Sequence, residues 1–256
     1  MFAVTLVCAL LIQIGTNFAN DYSDFHRGAD HEGRLGPVRV TQSGLITQES
    51  VRRGIVVAFG AAAILGLWLA WIGGWPIILI GALSIISGLA YTGGPFPFGY
   101  YGLGDVFVFV FFGLIAVTGT AFLQTGAWSH LALILSVPVG LLVSNILVVN
   151  NLRDLPTDRT ANKLTLAVRM GDRATRIQYA TFVAMAFAVP LVLAIGDESH
   201  RWLMLTWLTL PLAFGLTNTV LGGLAGRDLN PVLKRTGQLL LFFGILLTAG
   251  AVIGRQ

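Results

Sequence analysis

The chain has 256 residues, of which 55% are hydrophobic and 11% charged, and its mean hydropathy is +0.78. Soluble domains carry about 25% charged residues, so this composition excludes an ordinary soluble protein and indicates a polytopic membrane protein. A single cysteine excludes a disulfide framework, and a net charge of +4 is better explained by topology and by anionic headgroups or phosphates than by nucleic acid.

Eight apolar runs are close to the roughly 20 residues that a helix needs to span a bilayer. They lie at about 1–20, 54–73, 76–92, 104–124, 130–150, 177–195, 202–221 and 236–254. We therefore predict an all-α transmembrane bundle that forms one domain over residues 1–256. A loose internal repeat, in which a helix ending in Asn and Asp precedes a long charged link, divides it at roughly 1–124 and 130–256.

The basic residues are unevenly distributed between the two sides of this predicted bundle. Nearly all lie in the links 21–53, 93–103, 151–176 and 222–235 or at the adjoining helix ends, whereas Arg201 and Arg255 lie on the opposite side. The positive-inside rule places the long links in the cytoplasm. We expect an integral protein of the bacterial inner membrane whose chemistry faces the cytoplasm.

The first acidic motif closes the first apolar run. Asn17, Asn20, Asp21 and Asp24 follow the spacing i, i+3, i+4 and i+7, which places two amides and two carboxylates on one face of a helix. A second motif, Asn150-Asn-Leu-Arg-Asp-Leu-Pro-Thr-Asp158, closes the fifth run in the same way. The repeat predicts that the two motifs face each other across a central cavity.

Converging carboxylates at a membrane interface require a cation or a raised pKa. Oxygen ligands suit Mg²⁺, which proteins usually bind through a few carboxylates together with substrate phosphates. We predict a Mg²⁺–diphosphate site with five candidate ligands: Asp21, Asp24, Asp30, Asp154 and Asp158. The alternative is that these are polar helix ends that lie in solvent and pair with arginines.

A diphosphate also needs basic side chains, and guanidinium groups match phosphate oxygens. Candidates follow both motifs: Arg27, Arg34 and Arg39 on the first link, and Arg153, Arg159 and Lys163 on or after the second motif. Lys163 is the sharpest candidate because the chain has only two lysines. Pro156 disfavours helix at Leu155, so we expect Asp154 and Asp158 to straddle a helix break.

A segment rich in Gly, Pro and aromatic residues, Tyr91 to Asp105, lies on the same side. It is interpreted as a loop that covers the cavity and places Tyr91, Tyr100 or Asp105 against a ring substrate. An ordinary interfacial turn in an aromatic belt is the alternative.

The predicted spans carry no Asp, Glu, Lys or Arg near their middles, which weakens a transporter hypothesis. Asn145, Asn218 and Gln238 keep a non-catalytic lipid or quinone carrier open. A phosphotransferase of the CDP-alcohol type is disfavoured, because its single Asp-x-x-Asp-Gly…Gly-x-x-x-Asp-x-x-x-Asp segment is absent.

Together these motifs resemble the UbiA-type intramembrane prenyltransferases, most closely the menaquinone branch. The resemblance covers essentially the whole chain. It rests on Asn17-x-x-Asn-Asp-Tyr-x-Asp24, Gly28-x-Asp30, Gly36-Pro-x-Arg39, Gly102-Leu-Gly-Asp105, Asn150-Asn-x-Arg-Asp-x-x-x-Asp158-Arg, Lys163-x-Thr-Leu166 and Arg169-x-Gly171.

The resemblance implies that a polyprenyl group passes from polyprenyl diphosphate to 1,4-dihydroxy-2-naphthoate with loss of CO₂ and diphosphate, giving demethylmenaquinone. Other acceptors, of the 4-hydroxybenzoate, homogentisate or chlorophyllide type, remain open. The catalytic set it implies is Asp21, Asp24, Asp154, Asp158 and Lys163. The substrate-binding set is Asn17, Asn20, Arg39, Tyr91, Asp105, Asn150, Asn151, Arg153 and Arg159.

Two departures from the family pattern are visible. Asp30 follows Asp24 by six residues, which fits the menaquinone branch but not the general superfamily spacing. Family members also carry an additional first helix, and the apolar run here begins at Met1 with no basic residue before it. We expect a further helix to precede Met1.

Overall fold

The computed structural model describes residues 1–28, 35–36, 39, 41–42 and 44–254. Asp30, Arg34 and Arg255 lie outside these described residues. Within them the ordered structure is helical throughout, as expected for a chain that must satisfy its backbone hydrogen bonds inside a bilayer.

The α-helices follow the predicted apolar runs. They are α1 (Phe2–His26), α2 (Gln48–Gly73), α3 (Trp75–Ala90), α4 (Gly104–Val108), α5 (Ala116–Thr125), α6 (His130–Thr160), α7 (Leu166–Met170), α8 (Asp172–Gly196), α9 (Leu210–Leu221) and α10 (Leu229–Ile253). A π-helical segment, Phe109–Ile115, joins α4 to α5 in one continuous helix. Three 3₁₀ segments, Phe98–Tyr101, Glu198–Thr209 and Gly226–Asp228, precede α4, α9 and α10.

Seven helices in the described part of the chain are long and apolar enough to cross a membrane, rather than the eight predicted. The difference is α3, which has 16 residues. It begins after Gly74, whose φ of 77° ends α2 in a conformation that favours glycine, and it ends where the turn at Tyr91 begins. The all-helical membrane fold is confirmed, and α3 is a shorter apolar helix within it.

The expected helix break at Pro156 was wrong. Helix α6 continues through Pro156 to Thr160, so Asp154 and Asp158 lie one turn apart on a single helix. Proline removes one backbone hydrogen bond and disfavours the preceding residue, but here the helix extends past it. Helix α1 likewise continues to His26 and carries the first motif on its last three turns.

A close crossing joins the π-helical segment to α6. A Cβ on Gly113 would fall on the backbone of Gly140, and the two helices pack directly at this point. Glycine on both sides permits this approach, which any side chain would block.

Buried apolar residues form two clusters. The first joins α1, α2, α3 and α5 around Ala62 and Leu69. The second, larger cluster joins α6, α8, α9 and α10 around Leu142, Val149 and Phe243. Many large apolar side chains on the outer surface are exposed, as a lipid-facing surface requires. The two-repeat organisation stays a prediction.

The links that carry the polar motifs meet at one end of the bundle. The Arg176 guanidinium at the start of α8 is buried and donates to the carbonyl oxygens of Val220 and Leu224 near the end of α9. It also forms a bidentate pair with Asp172, at 2.7 Å for each contact. Carbonyls at a helix C-terminus attract cations, so this arginine stabilises the end of the bundle that holds the site.

Candidate active site

The two acidic motifs are connected by one lysine. The Lys163 ammonium lies 3.8 Å from Oδ2 of Asp24 and 4.0 Å from Oδ1 of Asp158. Asp24 ends the first motif and Asp158 ends the second, and both side chains are buried. A backbone hydrogen bond fixes the position of Lys163, since its amide N–H donates to the Asp158 carbonyl oxygen at 2.9 Å. One ammonium therefore lies between carboxylates from distant parts of the sequence.

The aromatic segment closes over this point. The Tyr100 hydroxyl donates to Oδ1 of Asp24 at 2.9 Å, and the Lys163 ammonium lies 5.3 Å from the centre of the Tyr100 ring. The Leu164 amide donates to the Tyr100 carbonyl at 3.0 Å, so the segment is pinned to the link after α6. Gly102, with φ at 74°, packs against Arg169 and completes the turn. The segment is thus a structured cover rather than a free surface turn.

Two arginines of the first link also reach this end. The Arg39 guanidinium lies 3.7 Å from Oδ2 of Asp24 and is about one quarter exposed. Arg27 donates to the carbonyl oxygens of Thr92 and Gly94 and lies 5.4 Å from the Tyr100 ring centre. Arg27 therefore holds the aromatic segment in place, whereas Arg39 adds positive charge beside the first motif.

The second motif contains an ion pair between a buried arginine and a partly buried aspartate. Arg153, 1% exposed, donates from Nε and Nη2 to the two carboxylate oxygens of Asp154 at 2.8 and 2.6 Å. It also donates to Oδ1 of Asn150 at 2.8 Å and to Oδ1 of Asn230 at 3.0 Å. Bidentate guanidinium–carboxylate pairs fix both partners in one geometry.

Tyr91 and Asp105 are the first and last residues of the aromatic segment. The Tyr91 hydroxyl packs against Gly104, and Oδ1 of Asp105 accepts a hydrogen bond from Gln178 at 3.0 Å. Burial raises the pKa of the Tyr91 phenol, and the charges of Asp105, Asp24 and Asp158 raise that pKa further. Tyr91 is therefore a neutral hydroxyl close to carboxylates of both motifs.

The other predicted site residues differ in burial. Asp21 is 4% exposed and Asn151 is 7% exposed, so both point into the protein. Asn20 accepts a hydrogen bond from the Thr92 hydroxyl at 2.9 Å, which fixes the C-terminal end of α3 against α1. Asn17 and Arg159 are exposed. The structure thus brings most of the predicted residues to one end of the bundle and leaves these two on its surface.

Several polar residues at the site were missed from the sequence. Asn230 contacts Arg153, Gln178 contacts Asp105, and Thr92 contacts both Asn20 and Arg27. Asn230 and Gln178 are single polar residues with no motif around them, whereas Thr92 lies within the aromatic segment but was not singled out there. Asn230 precedes Pro231 at the start of α10 on the basic side of the bundle, and this position is the only available signal.

The carboxylates do not form a preassembled metal cage. Among the described residues, no group of three or more His, Cys, Asp or Glu side chains is arranged to hold a metal ion. A groove of about 640 Å³ between α9 and α10 is lined by Leu212, Leu216 and Arg235 among others, and by none of the predicted site residues. The predicted site residues therefore lie away from this groove, and Lys163 lies between their two acidic motifs.

The fold and site define an integral membrane protein whose buried carboxylates and basic side chains meet at one end of a helical bundle. Its sequence matches the profile of the UbiA prenyltransferase family over residues 1–226. The chain belongs to this family and is an intramembrane prenyltransferase, as the motifs predicted.

Relatives from several organisms share nearly the full chain. A Mycobacterium tuberculosis (strain ATCC 25618 / H37Rv) protein named 1,4-dihydroxy-2-naphthoate octaprenyltransferase is 39% identical over 98% of this chain and 85% of its own length. A protein of the same name from Escherichia coli (strain K12) is 32% identical over 98% of this chain and 84% of its own length. UbiA prenyltransferase domain-containing protein 1 of Gallus gallus is 31% identical over 96% of this chain and 72% of its own length.

Proposed function

We propose that this protein transfers a polyprenyl group from polyprenyl diphosphate to 1,4-dihydroxy-2-naphthoate, with loss of CO₂ and diphosphate. The observation that carries the proposal is the contact of Lys163 with Asp24 and Asp158, which joins both acidic motifs at one place. Similarity to relatives named for this reaction supports the choice of acceptor.

The bonds of this reaction balance without an external oxidant. The C1–O bond of the donor breaks, and its electron pair leaves with the diphosphate. The ring carbon that bears the carboxylate forms a bond to C1, and the electrons of its bond to the carboxylate return to the ring as CO₂ departs. The immediate product is a prenylated naphthalenediol, which is the reduced form of demethylmenaquinone.

The donor groups of the site fit a hard divalent cation. Asp21, Asp24, Asp154 and Asp158 would supply oxygen ligands, and the amide oxygens of Asn20 and Asn150 would supply more. Mg²⁺ is usually held by one or two carboxylates plus substrate phosphates, so the lack of a three-carboxylate cluster among the described residues is compatible with it. When bound, Mg²⁺ would neutralise negative charge on the leaving diphosphate.

The basic residues of the chain would act on the same diphosphate. Lys163 and Arg39 both lie within 4.0 Å of Asp24, so a phosphate arriving beside that carboxylate meets two positive charges. Such preorganised charge stabilises negative charge that develops on the leaving group. The Tyr100 hydroxyl fixes Asp24 while the aromatic segment excludes water from a reactive allylic cation.

We further propose that the site faces the cytoplasm of a bacterial inner membrane. The described parts of the long basic links lie at the end of the bundle that carries Asp24 and Asp158, which agrees with the positive-inside rule. The diphosphate would enter from the aqueous side, and the isoprenoid chain would lie among the apolar helices.

The purified protein tests this proposal directly. Radiolabelled polyprenyl diphosphate is supplied with 1,4-dihydroxy-2-naphthoate, 4-hydroxybenzoate or homogentisate, in EDTA and after addition of excess Mg²⁺. We expect a prenylated naphthalenediol and one CO₂ per product only with naphthoate and Mg²⁺.

Product with another ring and none with naphthoate would overturn the acceptor. Movement of an unchanged quinone across vesicles, with no diphosphate released, would favour a carrier instead. Asp154→Asn is the matched loss-of-function variant, and Asp197→Asn at the opposite end of the bundle is its control.

A further inference from the structure

The Arg153 guanidinium is almost fully committed to protein partners. Arginine has five N–H donors. Four of them donate within the protein: Nε and Nη2 to Asp154, Nη2 to Asn150 and Nη1 to Asn230. The side chain is 1% exposed. A diphosphate at this buried group would have to compete with Asp154 or an asparagine for all but one of the N–H donors.

A second feature ties the same guanidinium to the first link. The Nδ2 of Asn230 donates to the Leu35 carbonyl at 3.2 Å, and Gly36 packs directly on the guanidinium. A Cβ on Gly36 would lie 2.6 Å from Nη2 and 2.9 Å from Cζ of Arg153, closer than real Cβ atoms approach. A larger residue here would have to displace the Arg153 guanidinium or the Gly36 backbone.

From these contacts we propose that Arg153 is a positioning residue, which fixes the Asp154 carboxylate and holds the Leu35–Gly36 segment through Asn230. This role differs from the predicted one, in which Arg153 binds the diphosphate directly. The inference rests on the proposed function, because Asp154 is valuable only if its carboxylate meets the metal–diphosphate.

The chemistry of the pair explains why arginine stands at this position. Each oxygen of Asp154 accepts one N–H and keeps a further lone pair for another ligand. The Asp154 side chain is only 13% exposed, so loss of its partner would leave a poorly solvated carboxylate unpaired, and lysine cannot replace a planar bidentate donor. Groups that orient metal ligands in this way typically change metal affinity about 10- to 100-fold when they are replaced.

The contacts of Arg153 with Asn230 and Gly36 connect three regions that are remote in sequence. Arg153 belongs to α6, Asn230 to α10, and Gly36 to the link that leads to Arg39. Arg39 in turn lies 3.7 Å from Asp24 of the first motif. The position of a cationic side chain at the first motif therefore depends in part on an arginine of the second.

Variants outside the substrate-contacting set test the proposal. Asn230→Ala and Gly36→Ala disturb the contacts around the Arg153 guanidinium without removing a carboxylate or a cation. Arg153→Lys keeps the positive charge but removes the planar, bidentate guanidinium. The probe is Mn²⁺ binding, followed by electron paramagnetic resonance in the presence of inorganic diphosphate, with purified full chain in detergent. Gly66→Ala, whose Cβ would meet nothing within 4 Å, is the matched control.

We expect Asn230→Ala and Gly36→Ala to weaken Mn²⁺ binding by about 3- to 30-fold, and Arg153→Lys by about 10- to 100-fold. The double variant Arg153→Lys/Asn230→Ala should bind no more weakly than Arg153→Lys, because both changes break one network. Thermal unfolding of each variant identifies any that fails to fold. If Arg153→Lys does not fold, the Asn230→Ala and Gly36→Ala variants still test the proposal.

Two results would overturn the proposal. In the first, Asn230→Ala and Gly36→Ala bind Mn²⁺ like the wild type while Arg153→Lys raises only the KM for polyprenyl diphosphate, as a direct ligand would. In the second, the wild type binds no Mn²⁺ with diphosphate. A wrong acceptor is distinguishable from both, since it abolishes turnover but leaves this binding unchanged.

Discussion

Lys163 and Asp24 come from opposite halves of the chain, yet 3.8 Å separates the ammonium nitrogen from Oδ2 of the carboxylate. The lysine follows the end of α6 and the aspartate lies in the last turn of α1. A second carboxylate, Asp158, lies 4.0 Å from the same nitrogen. This arrangement makes Lys163 the point at which both motifs are coupled.

Lys163→Ala should lower kcat/KM for prenyl transfer by roughly 100-fold, which is typical for removal of one preorganised group that stabilises developing charge. Steady-state rates with varied polyprenyl diphosphate measure this loss. Lys234→Ala, which removes the other lysine of the chain, is the matched control and should retain nearly full activity. Equal effects of both variants would mean that general surface charge, not the Lys163 position, matters.

Tyr100→Phe removes the hydroxyl that donates to Asp24 while keeping the ring beneath Lys163. A hydrogen bond to a charged group contributes about 1.5–3 kcal/mol, so we expect kcat/KM to fall by tenfold or more. Tyr101→Phe is the control, because that neighbouring ring is exposed and stacks on Phe96. An active Tyr100→Phe enzyme would show that Asp24 does not need this donor.

Gly113→Ala should destabilise the crossing between the π-helical segment and α6. Its new methyl group would fall on the Gly140 backbone, and overpacking of this kind costs about 1–3 kcal/mol. Gly119→Ala lies on the same continuous helix and makes only an ordinary 3.5 Å contact with Ile80, so it should unfold at the wild-type temperature. Thermal unfolding in detergent compares the two, and an unchanged Gly113→Ala would contradict the crossing.

Tyr91 should remain protonated at alkaline pH, because burial and three carboxylates raise the pKa of its phenol. The folded chain keeps this proton above the ordinary tyrosine pKa of about 10, where the unfolded chain releases it. The contribution of Tyr91 to stability is therefore full below pH 10 and is lost as the pH rises further.

Tyrosinate absorbance measures this directly. At pH 11, Tyr91→Phe should leave the absorbance of the folded protein unchanged, but in denaturant it should remove one fifth of the signal, since the chain has five tyrosines. Loss of tyrosinate absorbance in the folded variant would mean that Tyr91 ionises normally.

Hydrophobic patterning was sufficient to predict the helices, because a bilayer leaves few alternatives to a long apolar helix. The same patterning did not predict where the helices end. Pro156 predicted a break that does not occur, since the sequence gives no account of how α6 is held by its neighbours. The predicted run 76–92 extends two residues beyond the end of α3, into the turn at Tyr91.

The spacing of the acidic motifs predicted which carboxylates lie on one helix face, because helix periodicity is a local property. The Arg153–Asn230 contact could not be predicted in the same way. It joins α6 to a single asparagine at the start of α10, and only the packing of the two helices brings them within 3.0 Å. Lys163 was selected as a candidate site residue because lysine is rare in this chain, and the sequence alone shows that rarity.

Helix α6, with 31 residues, is about 46 Å long, whereas the hydrocarbon layer of a bilayer is about 30 Å thick. Under the proposed function its final turns, with Asp154 and Asp158, would extend beyond the acyl chains into the headgroup region. A charged headpiece would dissociate into water from there while an isoprenoid tail stays dissolved in lipid. No ionic group would then have to cross the hydrocarbon layer when the by-product is released.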